Sequence, residues 1–206
     1  MEILRALYRG LEGLYGADSG VDPAAHVHTF AAAEGQGQEL VLIREDGGYV
    51  DVALALDGAL LERLEARAPE EVLGDDALAD ALPVIEGLSH LLYIAEAARR
   101  ERPVSPLELE AQAEVDKLAL CLFDRRPAAA SHYDALVDRL FYRFTLARDL
   151  SPALQGRYEA ANRLALGFAK RLDRDVREGR WDGLRRRLQR FWGATLGAKR
   201  GLAQAS

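Results

Sequence analysis

The two runs ELVLIR and YVDVALAL, joined by the turn EDGG across residues 39–56, constrain this chain more tightly than any other stretch. Both runs are rich in β-branched and aromatic side chains, and Asp46, Gly47 and Gly48 tolerate the positive φ that a tight hairpin turn demands. An antiparallel hairpin is therefore expected. A lone hairpin is marginal in water, so further strands or a packed helix must cover it. Upstream, HVHTF supplies a third short strand. Downstream, Leu78, Leu82, Ile85 and Leu88 suit a helix, while Pro83 and Gly87 interrupt one. The expectation is a helix that ends near Gly87, followed by SHLLYIAEA as a buried strand pairing with the hairpin.

Around this sheet the spacing turns helical. Ile3, Leu7, Leu11 and Leu14 mark an amphipathic first helix stopped by Gly16, and Asp57 is placed to cap a helix bearing Leu60, Leu61 and Leu64. Beyond residue 104 no strand signal remains. Leu107, Ala111, Val115, Leu118 and Leu122 form one face; Leu136, Leu140, Phe141 and Phe144 a second; Leu154, Tyr158, Ala161, Ala165, Phe168 and Leu172 a third. Leu184, Leu188, Phe191 and Trp192 complete a fourth, and Ser151 with Pro152 supplies a cap and first-turn proline. The fold class read from this pattern is α+β and predominantly helical. A small antiparallel sheet with a β-hairpin near the N-terminus (module 1–100) leads into a C-terminal helical bundle (101–206), the two forming one continuous structural unit.

Composition narrows the function classes. A chain of 206 residues, about half apolar and 29% charged, has globular rather than disordered character. Its single cysteine, Cys121, excludes an internal disulfide and a cysteine-built zinc site, and points to a reducing, cytoplasmic setting. No transmembrane segment is expected. The net charge of −6 conceals an asymmetry, because Lys170 to Arg200 holds eleven basic and four acidic residues. An acidic body thus precedes a basic tail.

The acidic run Glu108, Glu110, Glu114 and Asp116 is the first candidate site. Ser105, Pro106 and Glu108 fit a capping box, and Glu110 and Glu114, with Lys117 one turn on, read as a solvated edge. The sharper alternative sets Glu110 and Glu114 against Glu86 and His90 as metal ligands. Carboxylate-bridged metal bundles pair a glutamate with a histidine three residues later, and neither Glu86 nor Glu114 has that partner, so the capping reading is preferred and no cofactor is assigned. His26 and His28 share a strand face but lack a third ligand. No nucleophile elbow, Walker loop, His-Glu-x-x-His or dinucleotide fingerprint is present. Catalysis has no support in the sequence.

The basic segment REGRWDGLRRRLQRFWG carries the preferred functional reading. As a helix it sets Trp181, Leu184, Leu188, Phe191 and Trp192 on one side and Arg186, Arg187 and Arg190 on the other. Its simplest role is to dock on the bundle; its functional role is a partner surface built from Trp181, Arg186, Arg187, Arg190 and Trp192, side chains that dominate protein interfaces. The function expected is non-catalytic protein interaction, as an adaptor, regulator or chaperone-like dimer, with homo-oligomer formation. Nucleic-acid binding through the same arginines is the alternative, disfavoured by the acidic body. A carboxylate and histidine metalloenzyme is the second alternative.

Overall fold

The computed structural model describes residues 1–33, 36–46, 49–147 and 150–204. They separate into two compact units, one holding Met1–Val104 and the other Ser105–Leu146 with the segment from Leu150 onward. The fold is α+β and mostly helical, with a three-stranded mixed sheet.

In the first unit, α1 (Glu2–Tyr15) buries Ile3, Leu4, Leu7, Leu11 and Leu14, and Gly16 ends it at φ 64°, a left-handed conformation that costs glycine nothing. A short helix, α2 (Pro23–His26), is capped by Asp22, whose carboxylate accepts from the Ala24 amide. Strands β1 (Val27–Phe30), β2 (Glu39–Asp46) and β3 (Tyr49–Asp57) follow, in the order β1-β3-β2. The expected hairpin is present, with β2 antiparallel to β3 in continuous register from Glu39↔Leu56 to Asp46↔Tyr49. Its glycine turn lies outside the described residues.

The sheet is mixed rather than antiparallel throughout, because β1 pairs with β3 in parallel, from Val27↔Leu54 to Phe30↔Asp57. The register gives the reason. Strand β1 ends opposite Asp57 and β2 begins opposite Leu56, so the link between them only has to step across the width of β3 at one end. The expected pairing of His26 and His28 on one strand also fails. His26 closes α2, and its Nδ1 lies 3.0 Å from the Val52 carbonyl oxygen.

The segment expected to be a helix and then a strand is one helix, α4 (Leu78–Arg99), after α3 (Gly58–Glu65). A run apolar on every side looks the same as a buried strand or a buried helix, and here its length decides. Gly87, read from sequence as an interruption, is where helix and sheet meet. A Cβ there would lie 2.3 Å from Leu54 Cδ1 and 3.0 Å from Glu39 Cγ, so glycine lets β2 and β3 rest directly on α4. Asp57 occupies the cap position of α3 without capping it; its carboxylate turns instead to the Ala32 amide, at 3.4 Å. By length and composition α4 is able to cross a bilayer, yet 67% of its apolar window is buried within the protein.

The second unit is helical throughout. Helix α5 (Pro106–Asp124) starts as expected, the Ser105 hydroxyl accepting from the Glu108 amide at 3.2 Å. Helix α6 (Ala129–Val137) passes into a π-helical turn, Asp138–Tyr142. That wider turn breaks the expected face: Leu140 and Phe141 remain buried, while Phe144 lies beyond the helix and is exposed. Asn162 of α7 (Pro152–Arg177) donates to the Phe141 carbonyl at 2.9 Å, pairing a backbone group at the π turn. The small residues Ala161, Ala165 and Ala169 of α7 are buried. At Gly167 a Cβ would approach the Ala203 carbonyl oxygen to 3.2 Å, so α7 and α9 (Leu196–Gln204) come close through small residues.

The acidic strip of α5 is not the solvated edge its spacing suggests. Glu108, Glu110 and Asp116 are buried. Asp116 accepts from Gln112 Nε2 at 2.7 Å, and Gln112 Oε1 accepts in turn from the buried Lys199 ammonium of α9. An amide that both accepts and donates bridges the two charges, the condition for burying them without a large solvation cost. Glu114 holds Lys117 at 2.7 Å, as the spacing implies.

Candidate functional site

The basic segment forms α8 (Trp181–Trp192), as expected, and docks through its apolar side. Leu184, Leu188 and Phe191 are fully buried and Trp192 is 5% exposed; the Phe191 ring stacks on Phe168 with centroids 4.3 Å apart. Trp181 is half-buried in an aromatic corner, edge-on to Phe123 at 5.6 Å, where the guanidinium of Arg126 lies 4.6 Å from the Phe123 centroid and 5.3 Å from the Trp181 ring. Arg185 covers Phe123 from 5.0 Å.

The arginines divide in the same way. Asp175 of α7 is buried and accepts from Arg180 Nε at 2.7 Å and from Arg187 Nε at 2.6 Å, a pairing that clamps the start of α8 to the end of α7. Burial pushes its carboxyl up, but the two guanidinium hydrogen bonds outweigh burial and hold it below the usual aspartate range. Sequence spacing gave no sign of this residue. Arg186 and Arg190 are exposed on the outer side of α8. Of the five residues singled out on this helix, Arg186 and Arg190 are exposed and Trp181 is half-buried, Arg187 is exposed although its Nε is held by Asp175, and Trp192 lies inside.

The metal candidates fall in both units. Glu86 and His90 lie four residues apart on α4, and His90 Nδ1 is 3.5 Å from Glu39 Oε1 of β2. Glu110 and Glu114 lie on α5, and Glu110 sits 3.5 Å from Arg157 Nε of α7. Within each unit Glu39, Glu110 and Glu114 have cationic or potentially cationic neighbours in His90, Arg157 and Lys117, an ordinary structural use.

A further surface went unrecognised in the sequence. Successive residues of a strand alternate faces, so the registers place Leu40 and Leu42 with Ala53, Ala55 and His28 on one face of the sheet. The opposite face, with Val41, Leu54 and Leu56, is the one that meets Gly87 of α4. Leu40 is 53% exposed and Leu42 51%, and Ile43 near the hairpin end is also exposed. Strand β2 is an outer strand of the sheet, eight residues long, without proline, glycine, lysine or a bulge. Proline, lysine and bulges are among the devices that keep outer strands from pairing, and β2 has none of these; its charges, Glu39, Arg44, Glu45 and Asp46, fall toward its two ends and leave Leu40–Ile43 uncharged. The signal was present in the unbroken run Leu40–Ile43, which supplies apolar side chains to two faces when, among the described residues, only one has a covering element.

In the second unit a cleft of about 370 Å³ is lined by Tyr133, Asp134, Val137, Asp138, Tyr142, Lys170 and Asp173. Arg177 bridges two of its walls, reaching Asp134 at 2.6 Å and Asp173 at 2.7 Å.

Compared with known proteins, the chain matches no family model, no curated protein and no solved structure.

Proposed function

We propose that this chain is a non-catalytic protein-interaction protein, an adaptor, regulator or chaperone-like component that works through self-association or a protein partner. The observation that carries the reading is the open sheet face of the first unit: two leucines about half exposed, side by side in an uncharged run of a long outer strand that has no proline, lysine or bulge. Single exposed leucines are common on soluble proteins, but contiguous apolar residues beside unpaired backbone groups mark places where another chain adds. Trp181, Arg186 and Arg190 offer a second, more polar contact surface on α8. The buried lone thiol of Cys121 suits a reducing cytoplasm.

The test is affinity purification of the tagged chain from its native host, beside the Leu40→Lys/Leu42→Lys and Arg186→Glu/Arg190→Glu variants. A protein recovered in near-stoichiometric amount with the wild type, whether another species or a differently tagged copy, and lost with the first variant, is the expected outcome. Recovery of the bait alone would overturn the reading. Nucleic-acid binding through Arg186 and Arg190 remains the alternative proposal; a salt series with duplex and single-stranded DNA distinguishes it, because phosphate contacts lose affinity steeply as salt rises.

A further inference from the structure

We infer that the occupant of the β2 edge is a second copy of this chain, joined through antiparallel β2–β2 pairing about a two-fold axis that passes beside Val41. The inference rests on the protein-interaction reading above and names its partner.

The argument is one of self-complementarity. In a continuous sheet built across a two-fold axis, directly opposed residues point to the same face, so a strand paired with itself allows only registers in which the opposed positions share parity. With Val41 opposite itself, Leu40 faces Leu42 of the second copy twice, Glu39 faces Ile43, and Gln38 faces Arg44. Every apolar position on the exposed face then meets an apolar one, no like charges oppose, and Arg44 at the margin meets a neutral amide. Moving the axis to Leu42 places Leu40 against Arg44 at both ends; moving it to Ile43 places Leu42 against Arg44. Both shifts replace a leucine pair with a leucine facing a guanidinium. Moving the axis to Leu40 leaves Leu42 against Gln38 at both ends, so of these registers the one centred on Val41 is the one that pairs all four leucines.

The neighbouring features agree. Arg44 is drawn along its own hairpin by Asp51, with 2.6 Å between Nη2 and Oδ2, which keeps the guanidinium engaged within its own chain. Strand β1, the other outer strand, is four residues long and too short to serve as a comparable template. Pairing two such edges also joins the exposed faces into one six-stranded surface, with the four leucines at its centre.

The experiment uses the full chain and measures mass by sedimentation equilibrium from roughly 1 to 300 µM, a range suited to a contact at the small end of specific interfaces. The wild type is expected to move from monomer to dimer across it. Leu40→Lys/Leu42→Lys sets added ammonium groups opposite one another and is expected to weaken the dimer by about tenfold or more. Leu40→Lys/Leu42→Glu sets an ammonium against a carboxylate twice in the Val41 register, and is expected to recover most of that loss. The rescue is register-specific, since an axis at Leu42 would oppose the two introduced carboxylates. Both variants alter exposed positions, and circular dichroism melts check that they fold alike. As an independent measure, Val41→Cys is expected to form a disulfide-linked dimer on mild oxidation, without interference from the buried Cys121.

A wild type that stays monomeric to the top of the range overturns the inference, as does a lysine and glutamate variant no tighter than the double lysine. A monomer that still recovers a different protein in a Leu40- and Leu42-dependent way removes the self-pairing while the interaction reading stands. A monomer that recovers nothing removes both.

Discussion

Strand β2 and helix α8 both carry an apolar side, yet they use it in opposite ways. Helix α8 hides its stripe, with Leu184, Leu188, Phe191 and Trp192 inside the second unit, while β2 leaves Leu40 and Leu42 in water. Periodicity says which side chains share a face. Whether a face is covered depends on residues far away in the chain, here α7 for the helix and, on one side of the sheet, no covering element among the described residues. The arginine-rich helix, which draws attention first in the sequence, is largely committed to its own fold, and the less conspicuous strand is the open one.

The sharpest way to break this contrast is to truncate a buried side chain of α8. Phe191→Ala removes a ring packed on Phe168 and should cost about 3–5 kcal/mol of unfolding free energy, measured by urea titration. Leu42→Ala on the open face should change it by less than about 0.5 kcal/mol. Comparable costs at the two positions would mean that β2 is covered after all.

A smaller effect compares the two faces of the sheet itself. Gly87→Val forces a branched side chain against Leu54 where even a methyl group is too close, and should destabilise by about 1–3 kcal/mol. If thermal melts show no loss, the sheet does not rest on α4 at that point.

The smallest expected effect is electrostatic and concerns how α8 is anchored. Asp175 has a carboxyl held below its ordinary value by Arg180 and Arg187, against the opposing effect of burial. The unfolded state therefore takes up a proton before the folded state does, so this stabilisation is fully present above the unfolded aspartate value of about 3.9. It is lost as pH falls below that value and through the depressed folded one. Melting temperature followed from pH 7 to about 2 should fall less steeply at the acid end for Asp175→Asn than for the wild type. Identical acid limbs would show that the guanidinium pairing contributes nothing.

Local chemistry was legible without the structure. Ser105 and Ser151 cap their helices because the hydroxyl, the following proline and the first amides lie within a few residues of one another, and the β2–β3 hairpin follows from its alternation and turn. The stretch around Ser89 was not legible, because a sequence apolar on every side carries no period that separates strand from helix. The acids of α5 misled for a related reason: Asp116 accepts from Gln112, which accepts in turn from Lys199, and Lys199 is 83 positions away from Asp116 in the sequence. The same holds for the open leucines of β2, since exposure is a property of the whole assembled fold.

The chain from Lys199 through Gln112 to Asp116 narrows what evolution or a protein engineer can place at position 112. Only a side chain able to take a hydrogen from one neighbour and give one to the other keeps both contacts. Glutamate would crowd a second anion beside Asp116, lysine would bring a second cation to Lys199, and leucine would delete both links at once. The identity of one neutral amide thus sets the terms on which the last helix can be swapped, redesigned or fused.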